Sequence, residues 1–593
     1  MSQFIKFVFA SCLGVFLAMI VLFIFGASLA GSMASTFGSD TVSVKPNSVL
    51  ELKFDQPIPE RTNNVPADSY SNSFDLQPED VLGLHDMVKA INRAKEDSNI
   101  KGIFIDAVSS PGGFTTRSLI RDALIDFKES GKFITAYSKY YDQSGYYMAS
   151  VADDVHVNPA GGVDFRGFGQ IIPFFKDGLD KLGVKMNVYY VGKFKSATEP
   201  FRLNKMSAES RRQVKEYLNP IYDGFIEDIA ASRNTSATEL RRVADEWLVR
   251  QPEDAITYKM VDKLSYRDEV ITAIKERMGL EEDDKINKIS INKYAAATKE
   301  SIDFGIKDKV GVIYAEGGIN IGEETPGAIR DDHYTEMIRK LRTDDKVKAL
   351  VLRVNSGGGS ALASENIWRE FVLAKEAGKP VVVSFGDVAA SGGYYIACMA
   401  DEIYAEPNTI TGSIGIFGTI PNAHELMSEK LGINLDTVNT GRFSSSVNIF
   451  HDQTPEEARI IQQGLDHGYE VFLKRVADGR GMTRDAVNEV AQGRVWTGEK
   501  AKELGLVDEL GGLDEAIEKA AELAEIESYR LSEYPKIKDP VQQLIEKYLQ
   551  PKEAAKAAII KEELGEMYPY YKELREVSKT KGPQARMPFM ILD

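Results

Sequence analysis

Ser391 has the residue type and the setting of a catalytic nucleophile. It lies in Ala-Ala-Ser-Gly-Gly-Tyr at residues 389–394, between a predicted strand that ends near Phe385 and an apolar stretch predicted to be helical. A serine at such a turn sits beside the free N–H groups of the helix, which stabilise developing negative charge. The ordinary alternative is a helix N-cap serine, and the residue type alone does not separate the two.

A glycine loop provides a second element of the same chemistry. Residues 355–360 read Asn-Ser-Gly-Gly-Gly-Ser and follow another apolar strand. Their backbone amides, with the amide of Gly392, could hold the oxyanion of an acyl-transfer reaction. A plain strand–helix turn and a phosphate loop are the alternatives. The loop lacks the Gly-Lys-Ser/Thr ending of a P-loop, which disfavours nucleotide binding.

A nucleophilic serine needs a base, and the sequence offers a lysine more readily than a histidine. Tyrosine at position 394 rules out a Ser-x-x-Lys motif at Ser391. Lys195 lies in Gly-Lys-Phe-Lys-Ser-Ala at residues 192–197, where burial could lower its pKa; three units cost roughly 4 kcal/mol. A solvated surface lysine is the usual alternative. A Ser-His-Asp triad also stays open, although no shared motif contains any of the six histidines: His85, His156, His333, His424, His451 and His467.

An internal repeat organises the elements that must position these residues. In each half, a short apolar run leads into a Ser/Gly turn, a predicted helix and a second apolar strand, at an offset of 246–249 residues. Apolar strands that alternate with amphipathic helices are typical of covered, mostly parallel sheets. The chain is therefore predicted to hold two copies of one α/β domain. The matching segments include 101–106 with 348–353, 145–147 with 393–395, and 255–264 with 501–510.

The two copies differ at the residues that carry chemistry. Aligning the repeats places Ser391 opposite Gln143, Lys195 opposite Ser444, and Ser413 opposite Phe165. The C-terminal copy therefore has the nucleophile and the N-terminal copy has the lysine. For the two to act together, equivalent loops of the copies must converge, within one protomer or between neighbours.

Composition narrows the functional class. The chain has 593 residues, too many for one hydrophobic core, and 43% of them are hydrophobic and 27% charged. A net charge of -17 argues against nucleic acid as a partner, because phosphate binding needs a basic face. The two cysteines, Cys12 and Cys398, do not form a disulfide framework.

The N-terminus is predicted to anchor the chain in a membrane. Residues 7–31 contain no charged side chain. As a helix they would extend roughly 37 Å, enough to cross a bilayer. Lys6 on one flank favours a cytoplasmic N-terminus, with the bulk of the chain on the other side. A cleaved signal peptide, given the small residues at 30–34, is the competing interpretation. A lipoprotein signal at Cys12 is a poor fit.

These patterns predict four segments. Residues 1–45 form the membrane anchor and linker, and residues 46–300 form the N-terminal repeat with the lysine. Residues 301–530 form the C-terminal repeat with the serine. Residues 531–593 form a helical C-terminal extension rich in Glu, Lys and Ala.

Four motifs resemble those of a known family. They are VGKFKSATEPF at 191–201, VNSGGGS at 354–360, AASGGYY at 389–395 and TGSIGIFG at 411–418. In this order they resemble the signal peptide peptidase A (protease IV) family in its long, duplicated form, from the N-terminus to about residue 520. The resemblance implies a serine protease with a Ser/Lys dyad, a ClpP/crotonase-like fold in both copies, and no metal or organic cofactor.

The resemblance also assigns roles to individual residues. It implies Ser391 as nucleophile, Lys195 as general base, Ser413 as the residue that holds the lysine, and Gly358 or Gly359 with Gly392 as oxyanion donors. One departure concerns the glycine loop, because the family often has Ser-Pro-Gly-Gly where this chain has Gly357. The N-terminal copy keeps that pattern at residues 110–113.

Further expectations follow from the family. The substrates would be extended apolar peptides, above all signal-peptide remnants, and the protein would form a homotetramer. It would sit in the bacterial inner membrane with its catalytic part on the extracytoplasmic side. Two other classes stay open: a crotonase-like enzyme acting on acyl-CoA, and a non-catalytic membrane scaffold. Neither needs Ser391 or Lys195.

Overall fold

The computed structural model describes most of the two predicted repeats. The predicted membrane segment at residues 7–31 lies outside the described residues. Within the described ranges, no helix has both the length and the apolar composition needed to span a bilayer. The described residues are 43–64, 80–299, 303–322, 327–537, 560, 563–565, 568, 571 and 583–587.

The first half of the chain forms a six-stranded parallel sheet. Its strands are nearly continuous apolar runs that helices cover on both faces. The strands are β1 (Ser48–Leu52), β2 (Ile100–Asp106), β3 (Phe133–Ser138), β4 (Asp154–Val157), β6 (Lys263–Leu264) and β7 (Asn287–Ser290), in the order β6-β4-β3-β2-β1-β7. The helices are α1 (Leu84–Glu96), α2 (Phe114–Lys128), α3 (Gln143–Ala149), α4 (Lys176–Leu182), α5 (Glu199–Arg202), α6 (Ala208–Ser232), α7 (Ala237–Asp245), α8 (Pro252–Thr257), α9 (Arg267–Met278) and α10 (Ile291–Ala297).

The second half forms an eight-stranded sheet with the order β17-β15-β13-β11-β8-β19, in which β14 pairs with β13 and with β18. Its strands are β8 (Lys309–Glu316), β11 (Val347–Ser356), β13 (Val381–Ala390), β14 (Glu402–Ala405), β15 (Ile410–Gly412), β17 (Val495–Thr497), β18 (Glu509–Leu510) and β19 (Arg530–Tyr534). The helices are α11 (Asp331–Thr343), α12 (Ala361–Glu376), α13 (Gly392–Tyr395), α14 (Pro455–Arg480), α15 (Arg484–Val490), α16 (Gly498–Glu503) and α17 (Leu513–Leu523).

Matching hydrogen bonds confirm that the two halves are copies of one α/β unit. The hydroxyl of Tyr146 donates to the carbonyl of Met260 at 2.8 Å, and the hydroxyl of Tyr394 donates to the carbonyl of Leu506 at 2.8 Å. Other bonds recur at equivalent positions: in each copy, two aspartate carboxylates accept from the N–H of the first or second residue of a strand. Those pairs are Ile134 N to Asp153, Val381 N to Asp401, Val155 N to Asp262, and Ile403 N to Asp508.

A third sheet joins the copies. Its six strands run in the order β10-β9-β12-β20-β16-β5. Strand β5 comes from the N-terminal copy and pairs antiparallel with β16 of the C-terminal copy. The strands are β5 (Lys185–Tyr190), β9 (Ile319–Asn320), β10 (Ile329–Arg330), β12 (Gly358–Ser360), β16 (Phe417–Asn422) and β20 (Gln584–Arg586).

Two details of the sequence-based expectation differ from the structure. Strand β13 runs on to Ala390 rather than ending near Phe385, and α13, after Ser391, has only four residues. Ser391 therefore directly follows the last residue of a strand that is held in the sheet. The C-terminal segment that was expected to be helical contains the strands β19 and β20, because each of them pairs with an open sheet edge.

Candidate active site

Lys195 and Ser391 meet within one chain although 196 residues separate them. The Lys195 Nζ lies 2.8 Å from the Ser391 Oγ. It also donates to the backbone carbonyl of Ser413 at 3.1 Å and lies 3.1 Å from the Ser413 Oγ. The structure thus brings together the three side chains that sequence comparison singled out from two different copies.

The loop that carries Lys195 is fastened to the C-terminal copy. It follows β5, whose pairing with β16 continues as a bond from Val191 N to Ile416 O at 2.9 Å. Phe194 N then donates to Gln492 O at 2.9 Å. Gly493 has a φ of +74°, and a Cβ there would lie 2.8 Å from the Lys195 backbone. A glycine is therefore needed at 493 for the lysine loop to approach.

Gln213 on α6 is a second fastening that sequence reasoning missed. Its side-chain N–H donates to the Ser196 Oγ at 3.2 Å, and its carbonyl oxygen accepts from Val495 N at 2.9 Å. One buried amide therefore ties the residue after the lysine to β17 of the other copy. A lone glutamine on an amphipathic helix carries no signal for this role in the sequence.

The environment of Lys195 favours its neutral form. The side chain is 1% exposed, and burial lowers the pKa of its ammonium to about 7. Burial lowers a lysine pKa because the charged form loses its hydration. About half of such a lysine is neutral at pH 7, so it can accept the proton of an adjacent hydroxyl.

Ser391 has a strained backbone. Its φ of 57° and ψ of -115° lie outside the regions that non-glycine residues usually occupy. The strain is held by flanking bonds, because Ser391 N donates to Gly412 O at 2.8 Å and Tyr395 N donates to Ser391 O at 2.8 Å. Backbone strain of this kind clusters at functional sites, where it aims a side chain that a relaxed backbone would turn away.

The glycine loop lies directly beside Ser391. Gly358 N donates to the Ser356 Oγ at 3.1 Å. Gly358 has a φ of +97°, and a Cβ there would lie 2.6 Å from Gly392 N. A Cβ on Gly392 would lie 3.1 Å from Gly359 N. The amides of Gly359 and Gly392 therefore border one small space, while the Gly358 amide is already engaged.

Three of the six histidines contact residues other than Lys195, Ser391 and Ser413. His156 Nδ1 is 2.9 Å from the Ser265 Oγ, and His424 Nδ1 is 3.0 Å from Phe450 O. His85 Nε2 lies 3.7 Å from a carboxylate oxygen of Asp514. Across the described part of the chain, no group of three or more His, Cys, Asp or Glu side chains is placed to hold a metal ion.

The N-terminal copy retains a cavity at the equivalent place. It has a volume of about 440 Å³ and is lined in part by Gln143 and Arg117. The Gln143 side-chain oxygen accepts from Gly167 N at 2.9 Å, so the residue opposite Ser391 in the sequence repeat is tied to a loop of its own copy.

Comparison with known proteins finds one family in both copies. The model of Peptidase family S49 matches residues 126–281 and 373–527. Protease 4 of Salmonella typhi is 39% identical over 459 residues, which cover 76% of this chain and 74% of that protein. The chloroplastic serine protease SPPA of Arabidopsis thaliana is 33% identical over 451 residues, or 75% of this chain and 66% of that protein. A ClpP1 variant of Listeria monocytogenes matches 35% of this chain and 94% of its own at 16% identity, with a TM-score of 0.24.

Proposed function

The chain belongs to peptidase family S49 and is a serine protease, and on that premise we propose that Ser391 is its nucleophile and Lys195 its general base. The observation that carries the proposal is the 2.8 Å contact between the Lys195 Nζ and the Ser391 Oγ. A lysine of lowered pKa beside a strained serine is what proton abstraction at neutral pH requires.

The mechanism has two steps. Neutral Lys195 takes the proton of Ser391 as its Oγ attacks a peptide carbonyl, and the lysine then protonates the leaving amine. Water then loses a proton to the same lysine as its oxygen bonds to the acyl carbon, and the lysine returns that proton to the Ser391 Oγ as the bond between Oγ and the acyl carbon breaks. Ser413 positions the lysine, since its carbonyl and its Oγ both lie 3.1 Å from the Nζ.

The oxyanion donors are the amides of Gly359 and Gly392. Both border the space beside the Ser391 backbone. Gly358 is the weaker choice, because its N–H already donates to the Ser356 hydroxyl. Gly358 contributes instead through its missing side chain, since a Cβ there would fill that space.

The substrates are extended apolar peptides, including signal-peptide remnants. Support comes from the buried position of Ser391 at the end of a strand and from the neighbouring strands β12 and β16, between which a peptide can lie as a strand. Within this proposal, residues 1–45 anchor the protein in the bacterial inner membrane with the catalytic part extracytoplasmic, as a homotetramer. The two ClpP/crotonase-like repeats span 46–300 and 301–530, and the extension spans 531–593.

The test is peptide hydrolysis by the full-length chain in a mild detergent. Wild type is expected to cleave an apolar fluorogenic peptide, and Ser391→Ala and Lys195→Ala are expected to lose that activity while remaining folded. Lys193→Ala removes an exposed lysine two residues away and serves as the matched control. Near-full activity of Lys195→Ala would mean that another group is the base. A wild type that fails on peptides but hydrolyses an acyl-CoA thioester would replace the protease assignment.

A further inference from the structure

The N-terminal copy has a glycine loop of its own, at the place that corresponds to the proposed oxyanion loop. Residues 110–113 read Ser-Pro-Gly-Gly and correspond, at an offset of 246, to residues 356–359 of the C-terminal copy. Because Gln143 stands opposite Ser391, this loop has no nucleophile beside it. The loop leads into the 15-residue helix α2, whose first backbone N–H groups are free of helical partners and favour an anion.

The carboxylate of Asp387, from the C-terminal copy, lies on these N–H groups. Gly113 N donates to the Asp387 Oδ2 at 3.0 Å, and Thr116 N donates to the Asp387 Oδ1 at 2.9 Å. The Thr116 hydroxyl donates to the Oδ2 at 2.7 Å. A Cβ on Gly113 would lie 2.4 Å from the carboxyl carbon, so this close approach needs a glycine there. An anion of the other copy thus bonds to Gly113, the position equivalent to Gly359.

The backbone of β13 bulges at the residue that makes this contact. Two steps along β11 span four steps along β13, which leaves residues 386–388 as a bulge. The register pairs on either side of it are Val354 with Phe385 and Ser356 with Ala389. Asp387 is the central residue of the bulge, and Ser391 follows four residues later. Bulges are common next to active sites, where they change the direction of a side chain.

The bulge is also the point at which β13 changes its neighbour. The first half of the strand pairs with β14, and its last three residues pair with β15. Within the C-terminal copy, the Thr409 hydroxyl donates to Gly386 O at 2.7 Å, and Val388 N donates to the Asn355 side chain at 3.2 Å. Asp387 adds three bonds from the N-terminal copy. The course of the segment that leads to Ser391 therefore depends on both copies.

We propose that Asp387 is a positioning residue for Ser391, and that the N-terminal glycine loop is the receptor for its carboxylate. The inference rests on the proposed function, since it takes Ser391 as the nucleophile. The three bonds fix the bulge, and the fixed bulge sets the direction in which β13 presents the strained Ser391 backbone. The N-terminal copy thus contributes to the site twice, through Lys195 and through this receptor.

The repeat shows why only one of the two glycine loops is used in this way. Aligning the copies on Gly-Tyr-Tyr places Lys139 opposite Asp387. Lys139 is exposed, and an ammonium group cannot accept a hydrogen bond from a backbone amide. The equivalent strand position therefore offers no anion to the C-terminal loop, whose Gly359 amide borders the space beside Ser391 with that of Gly392. One loop binds a carboxylate of the chain, and the other faces the reacting atoms.

The test is hydrolysis of an apolar fluorogenic peptide by the full-length chain in a mild detergent, with kcat and KM measured separately. Asp387→Asn keeps the shape of the side chain, but its amide nitrogen cannot accept, so at least one of the three bonds is lost. Its kcat is expected to fall by about 10–100-fold with KM unchanged, since a displaced nucleophile slows the chemical step.

Variants of Thr116 test the same contact from the other copy and leave β13 untouched. Thr116→Val removes the hydroxyl and is expected to lower kcat by about three- to tenfold, whereas Thr116→Ser keeps the hydroxyl and is expected to match the wild type. In the double variant of Asp387→Asn and Thr116→Val, the loss should be smaller than the product of the two single losses. Residues in direct contact do not act independently.

Asp401→Asn is the matched control, because Asp401 accepts from Val381 N at 2.8 Å at the first residue of the same strand. It is expected to lower the free energy of unfolding in urea and to leave kcat unchanged. Equal losses of kcat in Asp401→Asn and Asp387→Asn would overturn the positioning role, and so would a wild-type kcat in Asp387→Asn and Thr116→Val. Either result leaves the proposed function intact if Ser391→Ala is inactive. An active Ser391→Ala would overturn the proposed function itself.

Discussion

Replacing Lys195 by methionine tests whether a buried, neutral lysine is present in the folded protein. Burial lowers the pKa of Lys195 from 10.5 to about 7, so charging it in place costs on the order of 5 kcal/mol. Below pH 7 the lysine is charged in both the folded and the unfolded chain, and the folded state bears this full cost. Between pH 7 and 10.5 the unfolded chain binds more protons, so the stability of the wild type rises with pH.

Methionine has a similar length and no charge, so Lys195→Met removes this pH dependence. The free energy of unfolding of the variant minus that of the wild type is expected to fall by about 2.5 kcal/mol between pH 6 and pH 9. The hydrogen bonds lost to Ser391 and Ser413 change this difference equally at pH 6 and at pH 9, so they cancel when the two pH values are compared. Urea unfolding of the full-length chain at both pH values measures it, and Lys193→Met, at an exposed lysine, is the control.

The same variant reports on catalysis. Loss of the general base is expected to lower kcat for an apolar peptide by about 10²–10⁴-fold. In the wild type, kcat/KM should rise with pH through a single ionisation near 7 and then level off. An equal stability difference at pH 6 and pH 9 would mean that the folded lysine keeps its charge, and retained activity in Lys195→Met would mean that it is not the base.

Three further measurements follow. Gly358→Ala should lower peptide hydrolysis by about 10²–10³-fold, because the added Cβ fills the proposed oxyanion space. Gly357→Ala is the control: its Cβ meets its first neighbour only at 3.8 Å, so this variant should stay active. Equal losses of activity in the two variants would contradict the prediction. Ser413→Ala should lower kcat roughly tenfold with KM unchanged, as expected for one lost positioning bond in a kinetic assay. Burial and the nearby Glu60 raise the pKa of Glu316 to about 8. Between pH 5 and pH 8, the free energy of unfolding of the wild type, measured with urea, should therefore fall by up to about 3 kcal/mol relative to that of Glu316→Gln.

The sequence predicted the parts of the site that differ between the repeats. Comparing the copies isolates Ser391, Lys195 and Ser413, and the resemblance of the motifs to the family implies a role for each. Covered parallel sheets followed from the apolar strands. The structure brings these three side chains together. Repeat alignment and motif order are properties of the chain itself, so both can be used without knowledge of which segments touch.

The rest of the site depends on contacts between distant segments. Gln213 bonds to Val495, and the absent side chain of Gly493 leaves room for the Lys195 backbone. No motif in the sequence around either residue indicates these contacts. Strand β20 has only three residues and lies near the end of the segment 531–593, which was expected to be helical because it is rich in Glu, Lys and Ala. Its conformation is decided by the open edges of β12 and β16, and tertiary pairing of this kind overrides local propensity.

The third sheet explains how a duplicated chain divides one site between its copies. Strand β5 of the N-terminal copy pairs along its whole length with β16, so the chain leaves β5 on the surface of the C-terminal copy. The residues that follow must then pass the 492–493 turn, and Lys195 reaches Ser391 within five residues of the strand's end. Lys195, which follows this outer strand, thus lies 2.8 Å from the Ser391 Oγ, while β20 occupies the position between β12 and β16. The strand that leads to Lys195 is thus also the edge strand of the sheet that contains β12, β20 and β16.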